Sequence, residues 1–274
     1  MILFGFDTYN ILFALIVSFA IQIVFFAFAA GFKTDKVTDL SYSLSFLVLT
    51  VVLMLLEGAF QPVQILIAAV TSLWAVRLGG YLLVRIIAMG KDDRFDEMRD
   101  NPLRFARFWL LQAVSVWLIS FPVIFVLSLE ATVFTWLSLV GAAVWLFGFL
   151  FETVADTQKY RFKSNPENRG DFISHGLWRY SRHPNYFGEI LCWWGIFLSA
   201  APSLSGPAWF SVLGPLGITT LLLFVSGIPM LEKKHDKKYG GNPAYRDYKE
   251  ATSILVPLPP GGKTSSGGNE TAGR

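Results

Sequence analysis

Uninterrupted apolar runs of about 20 residues recur along this chain, and they restrict its fold more than any other feature. At 1.5 Å rise per residue, about 20 helical residues cross a hydrocarbon core of about 30 Å. Seven segments are long enough: residues 9–32, 41–59, 62–89, 107–128, 133–153, 186–203 and 207–230. The expectation is an all-α integral membrane bundle of about seven transmembrane helices. Composition agrees. Only 16% of the residues are charged, 53% are hydrophobic and the mean hydropathy is +0.48, whereas soluble domains carry nearer a quarter charged residues. The single cysteine, Cys192, excludes an intrachain disulfide. A net charge of +3 is too small to imply a nucleic-acid partner. The N-terminus has no basic region ahead of its apolar run, so it reads as a first span rather than a cleaved signal.

Basic residues alternate between the connections. Lys33 and Lys36 follow the first span; Lys91, Arg94, Arg99 and Arg104 follow the third; Lys159, Arg161, Lys163, Arg169, Arg179 and Arg182 follow the fifth. The intervening connections have none, and the region after the last span is again basic. Since basic loops stay on the cytoplasmic side, this predicts the N-terminus outside and the C-terminus in the cytoplasm.

Charges inside the spans need a reason, because each costs about 2.5–3.5 kcal/mol on insertion scales. Asp39 opens the second span and Glu57 closes it at an interfacial depth. Arg77 lies within the third, one turn before Tyr81, and reads either as an ion-pair partner of Asp39 or Glu189 or as a functional cation. Glu152 and Asp156 share one face at the end of the fifth. Glu189 lies one turn into the sixth, with Trp193 a turn further. All three histidines, His175, His183 and His235, fall in connections around the last spans. With one cysteine and no close histidine pair, no metal site is expected.

The densest run of polar and aromatic residues is Gly176-Leu-Trp-Arg-Tyr-Ser-Arg-His-Pro-Asn-Tyr-Phe-Gly-Glu189. Pro184 suits the first position of a helix, where its missing N–H is no loss. The free N–H groups of that helix start favour an anion, and Arg179, Arg182 and His183 precede it. After the last span, His235 and Tyr239 share a helix face within Glu232-Lys-Lys-His-Asp-Lys-Lys-Tyr239. That segment either closes over the sixth span's polar start or lies as a basic amphipathic helix on anionic lipid.

These runs, with Glu152-Thr-Val-Ala-Asp156-Thr-Gln-Lys159-Tyr-Arg161-Phe, resemble the bacterial DUF1295 family, which is grouped with the C-terminal domain of steroid 5-alpha-reductases. The resemblance is strong over about 150–258 and colinear over the rest. It implies a seven-helix enzyme of a bacterial inner membrane, its cofactor site facing the cytoplasm, that uses NADPH to reduce an activated carbon–carbon double bond in a lipid or steroid-like substrate. It also implies three regions: 1–150 as the lipid-substrate half, 151–258 as the cofactor-binding region and 259–274 as a disordered tail. By motif match, Arg77, Glu152, Asp156, Asn185, Glu189, Trp193, His235 and Tyr239 become cofactor residues. Lys159, Arg161, Lys163, Arg182 and His183 supply positive charge for its phosphates. The steroid enzymes' Gln-Glu pair on the second span is Thr38-Asp39 here, and a tyrosine of their third span is Trp74, which leaves Asp39 and Tyr81 as catalytic candidates. Arg182-His183-Pro184-Asn185-Tyr186 with Gly188 also resembles isoprenylcysteine carboxyl methyltransferases, which implies S-adenosylmethionine as the alternative cofactor. There the family's late Glu-Glu is Glu232-Lys233.

Overall fold

The computed structural model describes residues 7–32, 34, 36–89 and 102–261. Lys33, Lys91, Arg94 and Arg99 of the charge pattern, and the tail from residue 262 on, lie outside the described residues. Among those described, every regular element is helical. They are α1 (Ile11–Gly31), α2 (Thr38–Glu57), α3 (Pro62–Met89), α4 (Pro102–Ile119), α5 (Phe121–Leu127), α6 (Trp136–Ser164), α7 (Pro184–Ala200), α8 (Leu213–Thr220), α9 (Ile228–Tyr239) and α10 (Pro243–Ala251).

This is a membrane protein by length and apolarity. Residues 11–31, 38–57, 62–87, 136–164 and the composite 206–239 each suffice to cross a bilayer, and α4 with α5 makes a sixth crossing if the pair, bent by 51°, is one span. The sixth run expected from sequence is α7, whose 17 residues give a rod of about 26 Å. Two boundaries differ from expectation. The fifth span was expected to stop near 153, but α6 continues to Ser164 and carries its charged face beyond the apolar stretch. The last run, 207–230, is not one α-helix. It is a 3-10 segment (Gly206–Val212), then α8, then a π turn (Leu221–Val225). Gly227 ends it, since a Cβ there would collide with the backbone of Leu222.

Two kinds of contact hold the bundle. Small residues let α6 and α7 touch backbone to backbone, the usual device where lipid removes the hydrophobic drive between helices. Gly141 and Gly148 on α6 and Gly188 and Gly195 on α7 repeat at seven residues; a Cβ on Gly141 would lie 2.7 Å from the Gly195 carbonyl oxygen. Elsewhere buried amides and hydroxyls tie helices together. Gln22 on α1 donates to Ser45 Oγ on α2 at 2.8 Å, and Gln112 on α4 donates to Gln22 Oε1 and Ser41 Oγ, both at 2.9 Å. At the centre, Phe46 of α2, Trp74 of α3 and Trp193 of α7 meet pairwise with ring centroids 5.1–5.3 Å apart.

Candidate functional site

The α6–α7 glycine contact decides which polar side chains face each other. It presses the stretch Gly148–Asp156 of α6 against Asn185–Cys192 of α7, and α3 packs across both. Into this junction α3 projects Arg77. Its Nη1 donates to Asp156 Oδ2 at 2.9 Å, and its Nη2 lies 2.8 Å from Glu152 Oε1. The three side chains are 13%, 7% and 2% exposed respectively, in the order Arg77, Asp156, Glu152. Trp74 Nε1 donates to the other Glu152 oxygen at 3.2 Å, and the Asn185 side chain faces Asp156. Glu189, half-buried beside them, has no hydrogen bond or ion pair among the described residues. Two carboxylates therefore pair with one guanidinium, and a third, Glu189, lies within its field. Two buried donors here are also without acceptors, Trp193 Nε1 and Arg77 Nε. This buried polar cluster, or chamber, has unused donors and an unused acceptor, which suit a ligand group that both accepts and donates, such as a carboxamide.

From this chamber α6 leads outward. Glu152, Asp156, Lys159 and Lys163 lie at successive steps of four, three and four residues, a single stripe of the helix, about 16 Å long at the helical rise. Lys159 and Lys163 reach a narrow pocket of about 40 Å³ lined also by Trp178, Arg182, His235 and Tyr239. Lys159 Nζ sits 4.8 Å over the Trp178 ring. Lys163 Nζ donates to Asp171 O at 2.6 Å and to Tyr239 Oη at 3.1 Å, both neutral oxygens, which leave its charge uncompensated by those bonds. Tyr245 and Tyr248 complete the wall, and burial raises both hydroxyls above the usual tyrosine range.

The rim is fixed by Glu232 of α9. It accepts from Arg182 Nη1 at 2.6 Å and from His183 Nε2 at 2.9 Å, with Lys249 Nζ at 3.4 Å. Burial pushes the His183 imidazole below its ordinary pKa despite the pull of Glu232, so the ring is neutral, and Nε2 carries the proton because a carboxylate only accepts. Pro184 takes the first helical position of α7 as its sequence implies. The connection before it is pinned to α6: Trp178 Nε1 donates to Ala155 O at 3.0 Å and Leu177 N to Gln158 Oε1 at 2.9 Å. It is pinned to α10 as well, where Tyr248 Oη donates to Trp178 O at 2.7 Å.

The candidates from sequence thus fall into groups. Arg77, Glu152, Asp156, Asn185, Glu189 and Trp193 converge on the chamber. Lys159, Lys163, Arg182, His235 and Tyr239 line the pocket, with His183 at its edge. Arg161 is exposed and is not part of that lining; two residues from Lys159, it falls on the far side of α6. Asp39 is not brought to Arg77, nor is Glu189 its ion-pair partner. Asp39 pairs with Arg85 at 2.5 Å, two turns along α3. Tyr81 lies between, within the field of Asp156, Arg85 and Arg77. The sequence reading overlooked Arg85, although it repeats the face of Arg77 and Tyr81 at i+8 inside an apolar span. It also overlooked Glu232 as the partner of Arg182 and His183, for which a single sequence carries no signal.

A family model described as "Protein of unknown function (DUF1295)" matches residues 25–252. The chain is also similar to the uncharacterized protein C594.04c of the fission yeast Schizosaccharomyces pombe, 29% identical over 139 residues. That alignment covers 43% of this chain and 38% of the yeast protein, well under two thirds of the relative's length. No solved structure matches.

Proposed function

The chain belongs to the DUF1295 family, and from that premise and its own geometry we propose that it is a membrane-embedded, NADPH-dependent reductase of an activated carbon–carbon double bond in a lipid or steroid-like substrate. The observation that carries this reading is the α6 stripe, which joins a buried hydrogen-bonding chamber to a cationic pocket about 16 Å away. A dinucleotide has that polarity, with a carboxamide-bearing ring at one end and phosphates along its length.

In this reading Lys159, Lys163, His235 and Tyr239 hold the phosphates, while Arg182 and His183, already engaged by Glu232, shape the rim. Asn185, Glu189, Trp193 and Arg77 hold the nicotinamide end, using the donors and acceptor that lack partners. Bound there, the reduced nicotinamide supplies the hydride. Phe46, Trp74 and Trp193 keep water from the chamber, which strengthens each electrostatic contact inside it. Tyr81 supplies the proton or polarises the substrate carbonyl, and Asp39 orients Arg85 beside it. The basic pocket faces the cytoplasm, where the cofactor is.

The test is a set of melting curves of the purified protein with NADPH, NADH, S-adenosylmethionine or no addition. At 100 times its dissociation constant a ligand adds about 2.7 kcal/mol of stability. Stabilisation by NADPH, followed by its oxidation with an enone lipid, is the expected result. Stabilisation by S-adenosylmethionine alone overturns the reading and makes the chamber a methyl-donor site.

A further inference from the structure

On the far side of the bundle from the chamber, α1 and α4 run antiparallel without filling the space between them. Ser18 Oγ donates to Ala113 O at 2.8 Å and Trp117 Nε1 to Ile11 O at 2.8 Å, which fixes the register. Towards the other end Phe26 meets Phe105 and Trp109 at 5.8 and 6.3 Å in a small aromatic cluster separate from the main core. On the α4 side its wall is Ala106, Trp109, Leu110 and Ala113, two of them small. The result is a groove of about 570 Å³, counting the part open to the side.

Three observations identify what fits it. First, Ile23 and Leu110 on its rim are 58% and 49% exposed, so the groove opens laterally into the hydrocarbon and not to water. Second, its one polar wall residue, Gln22, turns its amide to Ser45 and Gln112, leaving an apolar lining suited to an acyl chain. Third, exposed cations stand at the end beside the aromatic cluster. Arg107 in the first turns of α4 is exposed, one residue from Ala106 and one turn before Leu110. Lys36, exposed in the connection after α1, lies at the same end. We propose that the α1–α4 groove is a binding site for an anionic phospholipid of the surrounding bilayer, its acyl chain between Phe19 and Ala113 and its phosphate at Arg107. The groove shares no lining residue with the chamber or the cationic pocket, and the Gln22–Gln112–Ser41 hydrogen bonds close its inner wall, so this lipid is a resident and not the substrate.

The test uses the full chain in nanodiscs of phosphatidylcholine with or without phosphatidylglycerol. Phosphatidylglycerol is expected to raise the melting temperature, and native mass spectrometry to show it retained about fivefold over phosphatidylcholine per basic residue engaged. Ala106→Leu with Ala113→Leu fills the groove and should abolish both effects; Arg107→Glu should abolish the preference while leaving bound lipid. If the filled variant misfolds, wild-type protein still decides the matter: phosphatidylglycerol brominated in its acyl chain should quench the emission that Trp109→Phe removes. Equal retention of the two lipids, or a phosphatidylglycerol gain that survives both the groove-filling and the Arg107→Glu substitutions, overturns the proposal. NADPH binding is expected to be unchanged in these variants, so this result and the reductase reading fail separately.

Discussion

Gly148 of α6 and Gly188 of α7 approach so closely that a Cβ on either would lie 2.7 Å from the other's carbonyl oxygen. One turn on, the same contact sets Glu152 against α7, for a Cβ on Gly188 would also lie 2.7 Å from Glu152 Cβ. The chamber's geometry thus depends on the absence of two side chains. Backbone cannot yield as a flexible side chain would, so Gly188→Ala must push the helices apart. The expected loss is about 1–3 kcal/mol, the range for overpacking, seen as a lower melting temperature. Ligand-induced stabilisation should fall as well, since Glu152 and Glu189 separate. Unchanged stability would show that α6 and α7 do not pack at this contact.

Among the described residues Arg77 is the single guanidinium in direct contact with the chamber's acids, Glu152 and Asp156. Removing one member of a buried ion pair leaves an uncompensated charge and typically costs about 3–5 kcal/mol. Arg77→Leu should lower stability by that order in a fixed detergent. Adding Glu152→Gln and Asp156→Asn should recover most of it, because the remaining groups are then neutral and can hydrogen-bond. A triple variant no more stable than Arg77→Leu alone would mean that the arginine acts through packing, for instance over the Phe149 ring at 5.8 Å.

Glu189→Gln separates structure from binding. Among the described residues the carboxylate has no hydrogen bond or ion pair to lose, and it lies near two other acids, so the neutral isostere should leave stability unchanged or slightly higher. If Glu189 accepts from a nicotinamide carboxamide, stabilisation by NADPH should shrink at least tenfold in affinity, about 1.4 kcal/mol. A variant that binds NADPH as wild type does would remove Glu189 from the site.

Much of this was legible in the sequence, and the reasons differ by residue. Five of the seven expected spans, or six if bent α4–α5 is one crossing, follow from run length alone, and Pro184 marks the start of α7 by its missing N–H. Glu152, Asp156 and Glu189 stand out because charge inside an apolar run is rare. Partner choice was not legible. Arg77 could be matched to Asp39 or Glu189 by depth, and only the α6–α7 glycine contact shows that Glu152 and Asp156 are nearer. Asp39 goes to Arg85 because α2 and α3 are antiparallel, which sets the start of α2 level with the end of α3. The broken last span was hidden as well, since Pro207, Gly214, Pro215, Gly217 and Gly227 all lie in a run whose mean hydropathy still reads as one helix.

His183 makes the fold sensitive to acid. It is 1% exposed and hydrogen-bonded to Glu232. The groups that bear on it come from each neighbouring element: Glu232 of α9 favours its charged form, whereas Lys159 of α6 and Arg182 of its own connection oppose it, and His235 lies nearby. Burial is the largest influence and lowers its pKa from the unfolded value of 6.5. The unfolded chain therefore takes up a proton at a pH where the folded chain does not, so unfolding binds protons in that window. The stabilising contribution is complete above pH 6.5 and declines as the pH falls below it towards the folded-state pKa. Melting temperatures measured from pH 8 to pH 5 should fall across the acid half of that range. In His183→Gln, whose amide can still donate to Glu232 and does not titrate, the fall should be shallower, and the difference between the two curves isolates this imidazole from the carboxylates that also protonate. Parallel curves would show that His183 titrates in the folded protein much as it does in the unfolded one, and that Glu232 offsets the effect of burial.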